Sequence, residues 1–449
     1  MDKNALRPLE GVGKRLFVET YGCQMNVNDT EIVVSILQRE GYRYTEHIEE
    51  ADVILINTCS VRDNAEQRIW GRLAEMRRYR RARPSLRIGV IGCMAERLKE
   101  RLTEGRDAVD IVAGPDAYRD LPRLLHEVET GGPGVNTLLS EEETYAEIAP
   151  VRLDRNGVSG FIAIMRGCNN YCSYCVVPYT RGIERSRDPE TIVREARELL
   201  ENGYREVTLL GQNVNSYRFG EVGFPELMRR VADLSPLLRV RFATSHPKDI
   251  SDELLEVMAS RPNICRAIHL PAQSGSSPML RRMNRKYTRE WYLERVAAIR
   301  RHMPDCAITT DLIAGFSGET EEEHRDTLSL MREVGYDFAY MFKYSERPGT
   351  FASKHLPDDV PEEAKAARLQ EIIDLQNELS LASNRRDVGR EFEILVEGTS
   401  RKRSDQLFGR NSQNKVIVFD GAEGVKAGDY LRVRVTDCTP ATLLGERID

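Results

Sequence analysis

Three cysteines, Cys168, Cys172 and Cys175, stand close together, separated by three and two residues. Thiolates that near can grip one metal centre. A closed structural zinc site takes four ligands, and no nearby histidine supplies the fourth. Four-iron clusters also ordinarily take four cysteines, so three leave one iron open to another molecule. The intervening Asn169, Asn170 and Ser173 are polar, as a loop would be. A second set, Cys23, Cys59 and Cys93, is spaced at 36 and 34 residues, and each ends an apolar stretch: TYGC, NTC and IGC. That spacing suits one β-α-β unit per step. In a parallel sheet the C-terminal strand ends lie side by side, so distant thiols there converge where ligand sites form. Gly22 and Gly92 precede two of them and allow the backbone to approach a bulky group. Cys265, Cys306 and Cys438 read as packing residues. Nine cysteines, an odd number, argue against a disulfide framework.

The elements that must position these residues follow from periodicity. RLFVETYG, ADVILINTCS, LRIGVIGC and VDIVAG read as strands. Helices are expected from Asp29 to Glu40, along an Arg-rich stretch, near Ala95 to Leu102 and near Tyr118 to Glu129. The whole is an α/β multidomain chain whose first domain, 14–130, is a parallel, Rossmann-like sheet. Residues 131–158 open on GGPG, carry EEETYAE and read as a linker. Over 159–380, GFIAIM, REVTLLGQ, VRFATS, RAIHLPAQ, AITTDLIAGF and FAYMFKY predict a partial (β/α)6 barrel of TIM type. Chemistry in such barrels gathers at the C-terminal strand ends. Cys168 follows the first strand, and the other ends carry Gln212, Asn213, Ser245, His246, Gln273, Ser274, Asp311, Lys343 and Ser345 as candidates to hold a cofactor. A helix from Pro361 to about Asn384 leads into 381–449. There EFEILVEG, QLFGRNSQNKVIVF, DYLRVRVTDC and TLLGERI predict a small, OB-like β-barrel. Arg401-Lys402-Arg403 falls in one of its loops.

Composition bounds the partners. Hydrophobic residues make up 41% and charged residues 30%, which is globular. No apolar run reaches bilayer length, and the first residues lack the core of a secretory signal, so a soluble, cytoplasmic chain is expected. Net charge is −6, from 65 basic and 71 acidic residues, which speaks against indiscriminate nucleic-acid binding. The charge is uneven. Arg68–Arg87 holds eight Arg and one Glu; Ser277–Met303 holds seven Arg and one Lys against two Glu. Such runs in an acidic chain point to a polyanionic partner.

A barrel with C-x3-C-x2-C after its first strand, and Tyr174 before the last cysteine, resembles the radical S-adenosylmethionine superfamily. The two triplets in this order resemble the methylthiotransferases. The stretches that carry the resemblance are TYGCQMN (20–26), NTCSVRDNAEQR (57–68), RGCNNYCSYCVVPYTRG (166–182), GQNVNSY (211–217), HLPAQSGSS (269–277) and GFSGET (315–320). It covers nearly the whole chain and lies with members that act on isopentenyladenosine in tRNA. It implies two [4Fe-4S] clusters, one on Cys168, Cys172 and Cys175 and one on Cys23, Cys59 and Cys93, and a C-terminal TRAM domain. It places Tyr174 near the cofactor's adenine and GFSGET along the cofactor pocket. The implied reaction is radical methylthiolation of carbon 2 of isopentenyladenosine at position 37 of the anticodon loop. One S-adenosylmethionine yields the deoxyadenosyl radical, a second gives the methyl group, and sulfur comes from the cluster on Cys23, Cys59 and Cys93. Implied partners are the tRNA anticodon stem-loop, gripped by Arg401, Lys402 and Arg403, an electron donor such as flavodoxin or ferredoxin, and a sulfur carrier. A monomer is expected. Competing readings are a methylthiotransferase for threonylcarbamoyladenosine tRNA or a ribosomal-protein aspartate, a non-catalytic zinc-containing RNA-binding protein, and a two-cluster electron carrier. The missing fourth ligand in both triplets speaks against zinc, and three modules exceed what electron carriage needs.

Overall fold

The computed structural model describes residues 13–59, 63–104, 109–132, 134–153, 157–421 and 423–448, the side chains of 63–65 and 100 aside. Ser60, Val61 and Arg62 of the NTCSVRDNAEQR stretch lie outside the described residues. The chain forms two compact bodies. The first is built from the residues up to Leu153 together with Arg166–Asn169 and Cys175–Arg187.

The first body is a parallel sheet. Its strands are β1 (Arg15–Tyr21), β2 (Arg43–Tyr44), β3 (Val53–Thr58), β4 (Arg87–Gly92), β5 (Ile111–Ala113) and β6 (Gly134–Asn136), in the order β2-β1-β3-β4-β5-β6. Alternation along β3 explains the two layers. Val53 and Leu55 join a core with helices α1 (Gln24–Arg39) and α4 (Leu121–Glu129). Ile54 and Ile56 join another with α2 (Asp63–Ala82) and α3 (Cys93–Leu98). A strand covered on both faces is apolar throughout, as VILINT nearly is. The order reverses between β1 and β3, the switch point where open α/β sheets bind ligands.

Three differences from the sequence reading have local causes. Helix α1 begins at Gln24 and not at Asp29, because Cys23 caps it and Asn26 accepts the Cys23 N–H in a reciprocal box. The third helix also starts early, at Cys93, and tightens into a 3-10 turn after Leu98. The segment read as a linker supplies β6 and puts Tyr145 in the core, its hydroxyl bonded to Pro115 O at 2.9 Å.

The second body holds six strands in two parallel three-stranded sheets. One orders Arg239–Ala243, Glu206–Leu210 and Ser159–Ala163; the other orders Ala267–His269, Ala307–Ala314 and Phe338–Lys343. A parallel bridge, Val240 to Ile264, joins them. Outward residues such as Ile162, Val207, Leu209, Ile308 and Leu312 share one core with the surrounding helices. The last 60 or so residues close a five-stranded barrel, in the order Glu391–Thr399, Gln406–Arg410, Val416–Asp420, Leu443–Arg447, Tyr430–Cys438. QLFGRNSQNKVIVF is therefore two strands and not one, turned at Asn411–Lys415 where Asn414 takes a positive φ.

That turn closes the N-terminal end of the six-stranded barrel. Arg239 donates to Arg410 O at 2.6 Å, Arg241 to Asn411 O at 2.8 Å, and the Arg266 N–H to Ser412 Oγ at 2.9 Å. Glu206, almost fully buried, takes Arg241 at 2.6 Å and Arg410 at 2.9 Å. Burial pushes its carboxyl up, but the two guanidiniums outweigh this and hold it below the usual range. A depressed folded pKa means the stabilisation is complete above the unfolded value near 4.3 and fades as pH falls through it. Glu206→Gln leaves the buried Arg241 guanidinium short of an anion, while the half-buried Arg410 keeps Glu397. It should cost about 3–5 kcal/mol at pH 7 in denaturant titrations. The variant should also lose less stability than the parent between about pH 5 and 3.

Candidate active site

Register brings the first triplet together. Tyr21 pairs with Thr58, and Thr58 with Gly92, so β1, β3 and β4 end level. Cys59 follows Thr58 directly, Cys93 follows Gly92, and Cys23 lies two residues past Tyr21. The Cys59 thiol hydrogen-bonds Cys23. That bond, with the Arg181 charge and the Asn26 and Met25 N–H groups, pulls Cys23 down to about 6 against desolvation. Cys93 is buried, which pushes its thiol up, while Arg181 pulls it back. Behind them, Asn57 Nδ2 donates to Asn26 O at 2.8 Å and to Thr30 Oγ1 at 3.0 Å, locking the end of β3 to the start of α1.

Among the described residues no three His, Cys, Asp or Glu side chains close on a single metal ion. The thiols sit instead on a backbone cradle. A Cβ on Gly22 would meet Cys59 Cβ at 2.9 Å; one on Gly92 would meet Asn57 Oδ1 at 2.6 Å and Thr58 O at 2.9 Å. Both glycines have positive φ, 146° and 89°. Thiols at helix starts, N–H donors and a cradle that excludes Cβ together fit a bulky anionic metal–sulfur group.

The second triplet follows the strand Ser159–Ala163 along the chain. Cys168 and Cys172 are buried and Cys175 is half-buried. The Cys168 N–H donates to Gly182 O at 3.1 Å, and the Val177 N–H to Cys175 Sγ at 3.4 Å. Arg285 Nη1 donates to Cys172 Sγ at 3.3 Å; its other nitrogens hold Tyr287 Oη and Pro271 O, each at 2.9 Å. Gln212 Oε1, Asn213 Oδ1, Ser245 Oγ and His246 Nε2 are buried without a hydrogen-bond partner. All four follow barrel strands at their C-terminal ends, as does Asn215, whose two amide atoms are also orphaned. Unmet groups gathered at one barrel end suit a polar ligand such as S-adenosylmethionine. Thr244 and Gln273 hold positive φ, 70° and 69°, at the ends of adjacent strands. Strain in non-glycine residues collects at such sites. Burial, with the Arg285 and Lys248 charges, drives His246 down to about 2, so it stays neutral.

Other expected contacts divide. Asp311 faces the barrel interior, 3.4 Å from His269 Nε2. Tyr174 packs edge-on against Phe316, with ring centroids 6.2 Å apart. Ser274 is engaged elsewhere: it meets Thr327 Oγ1 at 3.3 Å and accepts the Ser276 N–H, holding its own turn. Lys343 alternates with Phe338 and Tyr340, falls on the face of Ala339 and Met341, and pairs with Glu362 at 2.5 Å. In GFSGET the Gly315 N–H bonds Glu319 at 2.7 Å and the Gly318 N–H bonds Asp359 at 2.7 Å. Cys265 and Cys306 are buried and Cys438 half-buried. The residues the sequence reading missed are Arg181, Arg285, Asn26, Asn57 and Asn215. Asn57 was the most visible of them, as the one amide in the apolar run VILINT.

The basic runs separate too. Within 277–303, Arg282, Arg285, Arg289, Arg295 and Arg300 all bond protein groups. That run is mostly internal tie and not a polyanion surface. In α2, Arg72 and Arg80 pair with Glu19 and Asp110, while Arg68, Arg78 and Arg81 are exposed. Arg401, Lys402 and Arg403 are exposed on the loop expected, with Arg403 paired to Asp405.

Fold and thiol loop define the class first. The family model described as the radical SAM superfamily matches residues 162–331. The model described as Uncharacterized protein family UPF0004 matches 15–114, and that of the TRAM domain matches 385–448. The radical S-adenosylmethionine methyltransferase TsrM from Kitasatospora setae shares the fold, with a TM-score of 0.59 over 76% of this chain and 77% of its own at 14% identity. The tRNA-2-methylthio-N(6)-dimethylallyladenosine synthase of Phocaeicola vulgatus is 59% identical over 440 residues, covering 97% of this chain and 96% of its own. That of Porphyromonas gingivalis W83 is 56% identical over 443 residues, covering 97% and 95%. The chain belongs to the family of tRNA-2-methylthio-N(6)-dimethylallyladenosine synthases. As a radical SAM enzyme it uses S-adenosylmethionine and a [4Fe-4S] cluster. No helix among the described residues is long and apolar enough to cross a membrane.

Gly92→Ala tests the cradle. Its φ and the 2.6 Å approach to Asn57 leave no room for a methyl group. After anaerobic reconstitution the variant should carry roughly four irons fewer per chain than the parent. Iron assay and visible absorption check this.

Proposed function

We propose that the chain methylthiolates carbon 2 of N6-isopentenyladenosine at position 37 of the tRNA anticodon loop, using two S-adenosylmethionine molecules. What supports this reading is that the chain carries two cysteine triplets and is 59% identical to a synthase of that name. Bound at Cys168, Cys172 and Cys175, a four-iron cluster would supply the electron that splits S-adenosylmethionine; bound at Cys23, Cys59 and Cys93, a second would supply the sulfur. The rest is work for the chain's own groups. The orphaned atoms of Gln212, Asn213, Ser245 and Asn215, with the strained Gln273, receive the cofactor's polar groups. Asp311 and His269 stand on the inner strand face, where a nucleoside hydroxyl or base edge can bond them. Arg401 and Lys402 are free to meet RNA phosphates, while Arg403 is partly answered by Asp405. An outside electron donor of the flavodoxin or ferredoxin kind, and a source of replacement sulfur, complete the cycle. The chain acts in the cytoplasm as a monomer.

The test uses tRNA bearing isopentenyladenosine, S-adenosylmethionine and a reductant, with nucleosides and cofactor products read by mass spectrometry. The intact chain should give the 2-methylthio nucleoside together with deoxyadenosine. Replacing Cys23, Cys59 and Cys93 by Ala should abolish the nucleoside product while deoxyadenosine still forms. Replacing Cys168, Cys172 and Cys175 should abolish both. Product from threonylcarbamoyladenosine tRNA in its place would contradict the substrate assignment.

Deleting the C-terminal barrel is a poor test of RNA binding, because its turn caps Arg239, Arg241 and Glu206. The double charge reversal Arg401→Glu, Lys402→Glu leaves that contact alone. It should weaken tRNA binding and reduce the slope of log K against log salt by about 2. An unchanged slope would place the RNA grip elsewhere.

A further inference from the structure

Behind Cys93 lies a buried charge centre that the sequence did not announce. Arg181, the last residue of a short helix α5 (Val177–Arg181), donates Nε to Cys93 Sγ at 3.2 Å and Nη2 to Asp29 at 2.7 Å. Arg166 donates to the other Asp29 oxygen at 2.8 Å and to Pro115 O at 3.0 Å. Tyr118 Oη also donates to Asp29, at 3.3 Å. Arg185 meets Asp116 at 3.0 Å. The nearby Glu96 is answered by Lys99 at 3.6 Å. Three guanidiniums therefore face two carboxylates, all of them enclosed, and one positive charge is left over. Buried charge without a partner is costly. The Nη1 of Arg181 is buried with no hydrogen-bond partner, on a guanidinium whose charge reaches both Cys93 and Cys23. A surplus cation and an unmet donor beside two thiols call for an anionic sulfur acceptor larger than the thiols themselves.

We infer that Arg181 positions and tunes the cluster on Cys23, Cys59 and Cys93, giving Nε to the Cys93 thiolate and Nη1 to a cluster sulfide, with Asp29 fixing its orientation. The inference rests on the proposed reading that these three cysteines carry a cluster. A cation and N–H donors at cluster sulfur favour the electron-richer state and raise the reduction potential. Asp29 opposes this charge, so the pair sets the potential between two limits.

The experiment uses the full chain with Cys168, Cys172 and Cys175 replaced by Ala, reconstituted anaerobically with iron and sulfide. Redox titration is followed by electron paramagnetic resonance. Arg181→Gln should keep about four irons. It should make reduction roughly tenfold less favourable, a fall of about 59 mV for one electron. Arg181→Lys, which keeps the charge, should stay near the parent. Asp29→Asn should shift the potential the opposite way, a sign reversal that a merely structural role does not produce. Full iron with an unchanged potential in Arg181→Gln overturns the inference. If Arg181→Gln fails to hold iron, Asp29→Asn decides: an upward shift supports it and no shift overturns it. A parent chain that binds no iron at this triplet overturns instead the cluster reading beneath it, and the inference with it.

Discussion

A sulfur anion taken out of water needs positive charge and hydrogen-bond donors beside it. Much of this structure answers that demand. Each triplet has one thiol held by a buried guanidinium: Arg181 on Cys93 at 3.2 Å and Arg285 on Cys172 at 3.3 Å. Only a thiolate ligates metal, and a neighbouring cation favours that form. The guanidiniums need fixing in turn. Asp29 clamps Arg181, with Arg166 and Tyr118 behind it; Tyr287 and the Pro271 carbonyl clamp Arg285. The chain thus commits a polar interior to each sulfur site, and hydrophobic layers close around it.

The six-stranded barrel divides its ends accordingly. At the N-terminal ends Glu206 pairs with Arg241 and Arg410, and Arg239 and Arg241 donate to carbonyls of the Asn411 turn. That end is built for stability and fixes the C-terminal barrel to it. At the C-terminal ends the accounts stay open. Gln212, Asn213, Asn215, Ser245 and His246 hold unmet polar atoms, and Thr244 and Gln273 hold strained backbone. Satisfied groups at one end pin the scaffold; the unsatisfied polar atoms gather at the other.

Much of this was legible in the sequence. Both triplets announced themselves, one by tight spacing and the other by repetition at strand ends. The six barrel strands stood out as apolar runs. What stayed hidden was of other kinds. Arg181 and Asp29 lie 152 residues apart and meet only through the fold, so no local pattern marks them. Arg285 sat in a basic run that read as surface. β2 and β6 are edge strands of two and three residues, too short for periodicity to show. The helix after Cys23 opens on polar residues, and only the Cys23–Asn26 box shows that it has begun. Lys343 and Ser274 were placed by strand ends alone. Side-chain alternation put the first on the outer face, and Thr327 engaged the second.

The central claim is that two sulfur-ligated iron sites share this chain. Iron, acid-labile sulfide and zinc measured per chain after anaerobic reconstitution test it most directly. About eight irons with matching sulfide and no stoichiometric zinc are expected. Stoichiometric zinc without iron would contradict it.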